Sequence, residues 1–193
     1  ERPECPAFIR ESVVETLGNG LRWGRYAAIM GPAFEEFIRQ TNVTEILDLC
    51  SGSGQPAANL VEWLQERSSP FPRFILSDLF PNRATLELSQ GQNPEVIAVH
   101  PHPVDATAVA QDVSHDARMM VNAFHHFDTD HARAILEDCA AKEKSIFIFE
   151  GTPRGWKGLL TLGLSIPAVP LALLLNPFLA PRGNLLKFIF TYL

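Results

Sequence analysis

The residues best able to do chemistry stand where short apolar runs stop. The segment Ile46-Leu-Asp-Leu-Cys-Ser-Gly-Ser-Gly-Gln-Pro56 carries a carboxylate, Asp48, followed by a loop containing Gly52 and Gly54. Glycines so spaced let a backbone turn sharply and approach a ligand closely, and a helix opening behind them offers unpaired N–H groups. The same spacing also serves an ordinary strand-to-helix turn, so it informs only in company. Company comes from Asp78, which ends the run Arg73-Phe-Ile-Leu-Ser-Asp78, 24 residues past Gly54. A carboxylate there can accept hydrogen bonds from both hydroxyls of a ribose. Its bland alternative is a solvated cap for the next helix, near Pro81 and Asn82. Asp105, in Val104-Asp-Ala-Thr107, can receive the amino group of an adenine, although loop aspartates are also common turn formers.

A histidine pair, His125 and His126, stands just past the run Arg118-Met-Met-Val-Asn122. Histidine is suited to general-base work near neutral pH. Neighbouring histidines point apart on most backbones, so at most one acts. His126 is the expected base and His125 the second candidate; the plain reading makes one a helix cap and the other solvated. No third ligand accompanies the pair at useful spacing, so no metal is expected.

These residues need a scaffold that brings strand ends together. Five apolar runs recur, at residues 45–49, 73–78, 95–99, 118–122 and 145–150, each bounded by Gly, Pro, Asn or Asp. Nearly continuous apolar runs of this length are how strands buried on both faces of a parallel sheet read. Between them, Ala57, Leu60, Val61 and Leu64 repeat at helical spacing behind Pro56, and Ala132, Ile135, Leu136 and Cys139 do so behind Asp128-Thr129. Alternating strands and helices predict right-handed crossovers and a doubly wound, mostly parallel α/β sheet, with ligands outside the carboxyl ends of its strands.

The whole chain of 193 residues suits one such domain, with flanks. Its 22 acidic and 16 basic residues leave a net charge of −6, which argues against a nucleic-acid partner. Cys5, Cys50 and Cys139 are odd in number and far apart, so neither a disulfide framework nor a zinc site is suggested, and a reducing, cytoplasmic setting is expected. No basic-then-apolar leader opens the chain, which begins at Glu1. Residues 1–42 read as a helical cap, with Phe34, Phe37 and Ile38 at helical spacing; residues 43–152 form the core. Residues 153–193 form an apolar segment interrupted by Pro167, Pro170 and Pro177, with no charge from Gly158 to Pro181. The prolines disfavour a regular membrane span and leave a lid, a peripheral membrane contact through residues 158–181, or a partner surface.

Taken together and in order, these motifs resemble the class I S-adenosylmethionine-dependent methyltransferases. Asp48, Gly52 and Gly54 match the acid and two glycines of that family's first motif, with Cys50 where its first glycine is usual. The resemblance continues through Asp78, the pair Asp105-Ala106 and the block Met120-Val-Asn-Ala-Phe-His-His-Phe127, covering about residues 43–150. It implies a Rossmann-like fold, S-adenosyl-L-methionine as cofactor and methyl transfer, and the apolar segment at residues 153–193 adds the expectation of a small, apolar or lipid-like acceptor. It further implies that Asp48, Cys50, Ser51, Gly52 and Gly54 flank the methionine part. Asp78 with Leu79 would hold the ribose, Asp105 with Ala106 would edge the adenine, and Asn122 with Ala123 would lie beneath the sulfonium. Three carboxylates suit a positive sulfur. Trp23, Tyr26, Phe124 and Trp156 are candidates to line the acceptor pocket, although aromatics are more often plain core. The family's closing helix and antiparallel strand pair have no counterpart in pattern after Glu150, so that region is expected to be truncated or rebuilt. Two other readings compete. Gly52-Ser-Gly-Gln-Pro-Ala57 also satisfies a nicotinamide-dinucleotide fingerprint, which would make the chain an oxidoreductase. A degenerate cofactor domain serving as a membrane-associated interaction module is the non-enzymatic alternative.

Overall fold

The computed structural model of the chain describes residues 26–151. Expectations placed on residues 1–25 and 152–193, including Trp23, Trp156 and the apolar segment 158–181, lie outside the described residues. The element order is α1 (Tyr26–Thr41), β1 (Glu45–Asp48), α2 (Gln55–Glu66), β2 (Arg73–Leu76), α3 (Arg83–Gln92), β3 (Ile97–Val99), β4 (Ala117–Val121), a short 3-10 turn (Phe124–His126), α4 (Thr129–Ala141) and β5 (Ser145–Phe149). The strands form one parallel sheet in the order β3-β2-β1-β4-β5. The chain thus winds outward from β1 in one direction, then returns to β4 on its other side. Strand order reverses between β1 and β4, and ligands of doubly wound sheets bind at such a reversal.

Burial on both faces explains why the strands read as continuous apolar runs. Ile46, Phe74, Leu76, Met119 and Phe147 point to one face, under α1, α2 and Leu86 of α3. Leu47, Ile75, Met120, Ile146 and Ile148 point to the other, under Ile135 of α4 and the loop residues Val104, Val109 and Val113. The usual two-residue alternation is present but masked, because each face meets its own apolar layer. Phe34 anchors α1 by stacking on Phe74 at 5.8 Å and meeting Phe147 edge-on at 5.1 Å between ring centroids. The helix belongs to the same compact unit as the sheet.

Several boundaries differ from the sequence expectation. β2 stops at Leu76, so Asp78 lies two residues beyond the strand rather than closing it. β3 begins at Ile97, β4 runs one residue earlier than read, and β5 ends at Phe149. The helix after β2 is capped by Asn82, whose side chain accepts from the Thr85 N–H, which relieves Asp78 of that duty. Asp128, not Thr129, caps α4 by accepting from the His131 N–H, so neither His125 nor His126 caps it. Among the described residues, no helix is long and apolar enough to cross a membrane.

Candidate functional site

The carboxyl ends of β1, β2, β4 and β5 carry the reactive side chains. Behind β1, the chain passes through positive φ three times, at Cys50 (56°), Gly52 (56°) and Gly54 (72°). The loop is stapled to the end of β2. The Asp48 carbonyl accepts from the Ser77 N–H at 2.9 Å, the Ser51 hydroxyl at 2.7 Å and the Ser77 hydroxyl at 2.8 Å. The Ser51 hydroxyl in turn accepts from the Ser77 N–H at 2.9 Å. Gly54 is glycine for two physical reasons. Its φ is left-handed, and a Cβ there would lie 2.6 Å from the Leu76 side chain and 3.0 Å from Ser89 Cβ. Its small size therefore seats α2 against β2 and α3.

Asp48 is 1% exposed, and its Oδ2 has no hydrogen-bond partner among the described residues. Burial pushes its carboxyl up to about 7; the Ser51 hydroxyl opposes this and the Asp78 charge adds to it. Asp78 is half-buried and oriented by backbone. Its Oδ2 accepts from the Gly52 N–H at 3.2 Å and its Oδ1 from the Phe80 N–H at 2.9 Å. The structure therefore brings the first loop and the end of β2 together around one carboxylate. Leu79 and Phe80 beside it are large apolar side chains left 43% and 45% exposed. Asp105 is exposed, and its Oδ1 accepts from both the N–H and the hydroxyl of Thr107, the turn-forming role its residue type allows. Ala106 is buried next to it.

At the end of β4, Asn122 adopts φ 51°, a left-handed conformation that asparagine tolerates better than most residues. Its side-chain oxygen accepts from the Gly151 N–H at 2.6 Å and its own N–H donates to the Phe149 carbonyl at 2.8 Å, tying the ends of β4 and β5. Ala123 is buried. The 3-10 turn that follows directs the Phe124 N–H at Glu150 Oε1, 2.8 Å away, while His125 Nδ1 meets Glu150 Oε2 at 2.7 Å. The rings of His125 and His126 lie 4.1 Å apart, and His125 pairs with the Glu150 carboxylate. Glu150 was not singled out from the sequence. It lies 25 residues from His125, and only the pairing of β5 beside β4 brings them together. Tyr26 stands at the same end, edge-on to Phe149 at 6.3 Å, whereas Phe124 packs partly into the core on the α4 face.

No family model matches the chain, and neither does any curated protein. Solved structures do resemble it. Human N-acetylserotonin methyltransferase in complex with S-adenosylmethionine superposes with a TM-score of 0.52 at 14% identity, over 81% of this chain and 42% of that one. An O-methyltransferase family protein from Burkholderia thailandensis gives 0.48 at 17% identity, over 66% of this chain and 37% of that one. The mitomycin 7-O-methyltransferase MmcR gives 0.47 at 16%, over 69% and 42%. This chain thus spans only 37% to 42% of the length of these proteins. The first superposition shows that its fold is that of the class I S-adenosylmethionine-dependent methyltransferases.

Proposed function

We propose that this chain, built on the class I methyltransferase fold, binds S-adenosyl-L-methionine and transfers its methyl group to a small, apolar acceptor. The observation that carries the reading is the convergence of a buried, unpartnered Asp48 oxygen with the Asp78 carboxylate that the Gly52 and Phe80 amides orient. A buried oxygen without a donor is the polar vacancy a ligand N–H would satisfy. The acidic donor set fits a cation, and the apolar Leu79 and Phe80 fit a base edge. When bound, the cofactor supplies an activated methyl on a positive sulfur. What remains for the chain is to align, exclude water and accept a proton.

For the proton, His125 joins His126 as a candidate base: Glu150 fixes the His125 ring through Nδ1 and thereby leaves Nε2 as the nitrogen that can serve as base. Asn122 and Ala123 set the turn from which that ring projects. The fold also hosts other nucleoside cofactors, so the decisive test is comparative. S-Adenosylhomocysteine at a hundredfold excess over its Kd should stabilise the chain by about 2.7 kcal/mol, and NADH should not. Stabilisation by NADH alone would replace this reading with the oxidoreductase one. Acceptor identity is then sought by mass spectrometry of small molecules that co-purify with the chain or gain a methyl group in its presence. A peripheral membrane contact through residues 158–181 belongs to the same proposal, and so does a cytoplasmic setting. Deleting the segment should abolish liposome binding and spare nucleoside binding.

A further inference from the structure

Asp48 is held in an unusual position for an acid. Three hydrogen bonds to its own carbonyl fix its backbone, and its side chain lies in the interior. The carboxyl is 1% exposed and one oxygen has no partner among the described residues. The charge that reaches it from the neighbouring strand end is Asp78, of the same sign, while Cys50 lies in its own loop. The other ionisable pair at these strand ends is His125 with Glu150, which face each other at 2.7 Å. Among the described residues, an ionised carboxylate so placed meets neither solvent nor a counter-ion, and a neutral carboxyl is the form such a site favours.

We propose that Asp48 is a proton-exchanging counter-ion, protonated in the ligand-free site and giving its proton to solvent when the cationic cofactor enters. The inference rests on the reading of this crevice as a site for S-adenosylmethionine. The exchange balances simply: the carboxyl O–H bond breaks, its electron pair stays on the carboxylate, and the proton passes to buffer. S-Adenosylmethionine carries one positive charge more than S-adenosylhomocysteine, so proton release is larger for the former. Once the methyl has left, the demand for a full negative charge falls, the proton returns and the product is held less tightly.

Titration calorimetry of the full chain at pH 6.5, in buffers of differing ionisation enthalpy, tests this directly. With a ligand-free carboxyl titrating near 7, S-adenosylmethionine should release about three-quarters of a proton. S-Adenosylhomocysteine should release less. In Asp48→Asn, the heat of binding should no longer depend on the buffer. A buffer-independent heat in the native chain overturns the proposal and leaves the cofactor reading standing, as does a buffer dependence that persists in the variant. Failure of the native chain to bind either nucleoside overturns both. Should Asp48→Asn itself not bind, urea unfolding of the ligand-free protein decides. The native chain must lose stability between pH 4 and 7 relative to the variant, and equal profiles sink the idea.

Discussion

At the scale of single residues, the strongest functional feature is a histidine held by a carboxylate from the end of the next strand. His125 is held at 2.7 Å by Glu150, whose other oxygen accepts from the Phe124 N–H, so ring and turn are positioned by one carboxylate. A base must be in line to act, and this contact keeps the His125 ring in one orientation. His125→Ala should therefore lower methyl transfer by about 10²- to 10⁴-fold with nucleoside affinity unchanged. Glu150→Gln should lower it less, since an amide can still orient the ring. Activity in single-turnover assays together with affinity from calorimetry checks both, and an unimpaired His125→Ala would return the role to His126. The sequence announced the histidines and three of the acids by their places at strand ends. It could not announce Glu150 as a partner, because that contact is made by strand order rather than by spacing. Cys50 was legible as a departure from glycine; its φ of 56° adds the reason, since a side chain in that conformation is strained where glycine is not.

At the scale of elements, apolar periodicity located α2 and α4 well, because each buries one stripe against one face of the sheet. Strand existence was equally legible, but strand ends were not. Ser77 and Asp78 continue an apolar-looking run while their backbone has left the ladder to meet the first loop. The docking of α1 on α2 was invisible in the sequence, since it depends on what Gly31 lacks. A Cβ at Gly31 would lie 2.6 Å from the Trp63 ring, which is itself buried and covered by the Arg67 guanidinium at 4.0 Å. Gly31→Ala should therefore destabilise the fold by about 1–3 kcal/mol through overpacking. Gly91, within α3, is the matched control. A Cβ there meets nothing within 4 Å, so Gly91→Ala should stabilise by about 0.5–1 kcal/mol through helix propensity alone. Urea midpoints of the two variants against the native chain distinguish packing from propensity, and equal shifts would refute the argument.

At the scale of the described body as a whole, two buried groups give stability opposite dependences on pH. Asp48, raised to about 7, binds a proton when folded that the unfolded chain has already lost. Its contribution is complete below pH 3.8 and disappears as pH climbs through 7, at up to about 1.4 kcal/mol per unit. His115 acts in the reverse sense. Burial lowers its pKa from 6.5; a hydrogen bond to the Val113 carbonyl opposes this, and the charges of Arg118, Lys144 and Lys142 reinforce it. Its Nε2 accepts from Arg118 Nε at 3.2 Å, and Arg118, wholly buried, pairs with Asp138 on α4 at 2.8 Å. A proton on His115 would set two cations against each other in that interior. The unfolded chain takes this proton below pH 6.5 before the folded one does, so stability falls as pH drops from there. The two slopes oppose each other below 6.5 and largely cancel until the folded form of His115 titrates, and only that of Asp48 remains between 6.5 and 7. Urea unfolding of the ligand-free chain should accordingly give a shallow profile just below pH 6.5 and a decline to pH 7. His115→Gln should expose the falling limb of Asp48 from pH 4 to 7. Asp48→Asn should expose the opposite limb, rising toward pH 6.5 and then level. Identical profiles for the two variants would mean that neither buried group controls the acid response. The response would then fall to carboxylates held below their ordinary range, such as Asp116 by the Thr44 hydroxyl and amide and Asp138, against its burial, by Lys142 and Arg118, which act only below pH 3.8.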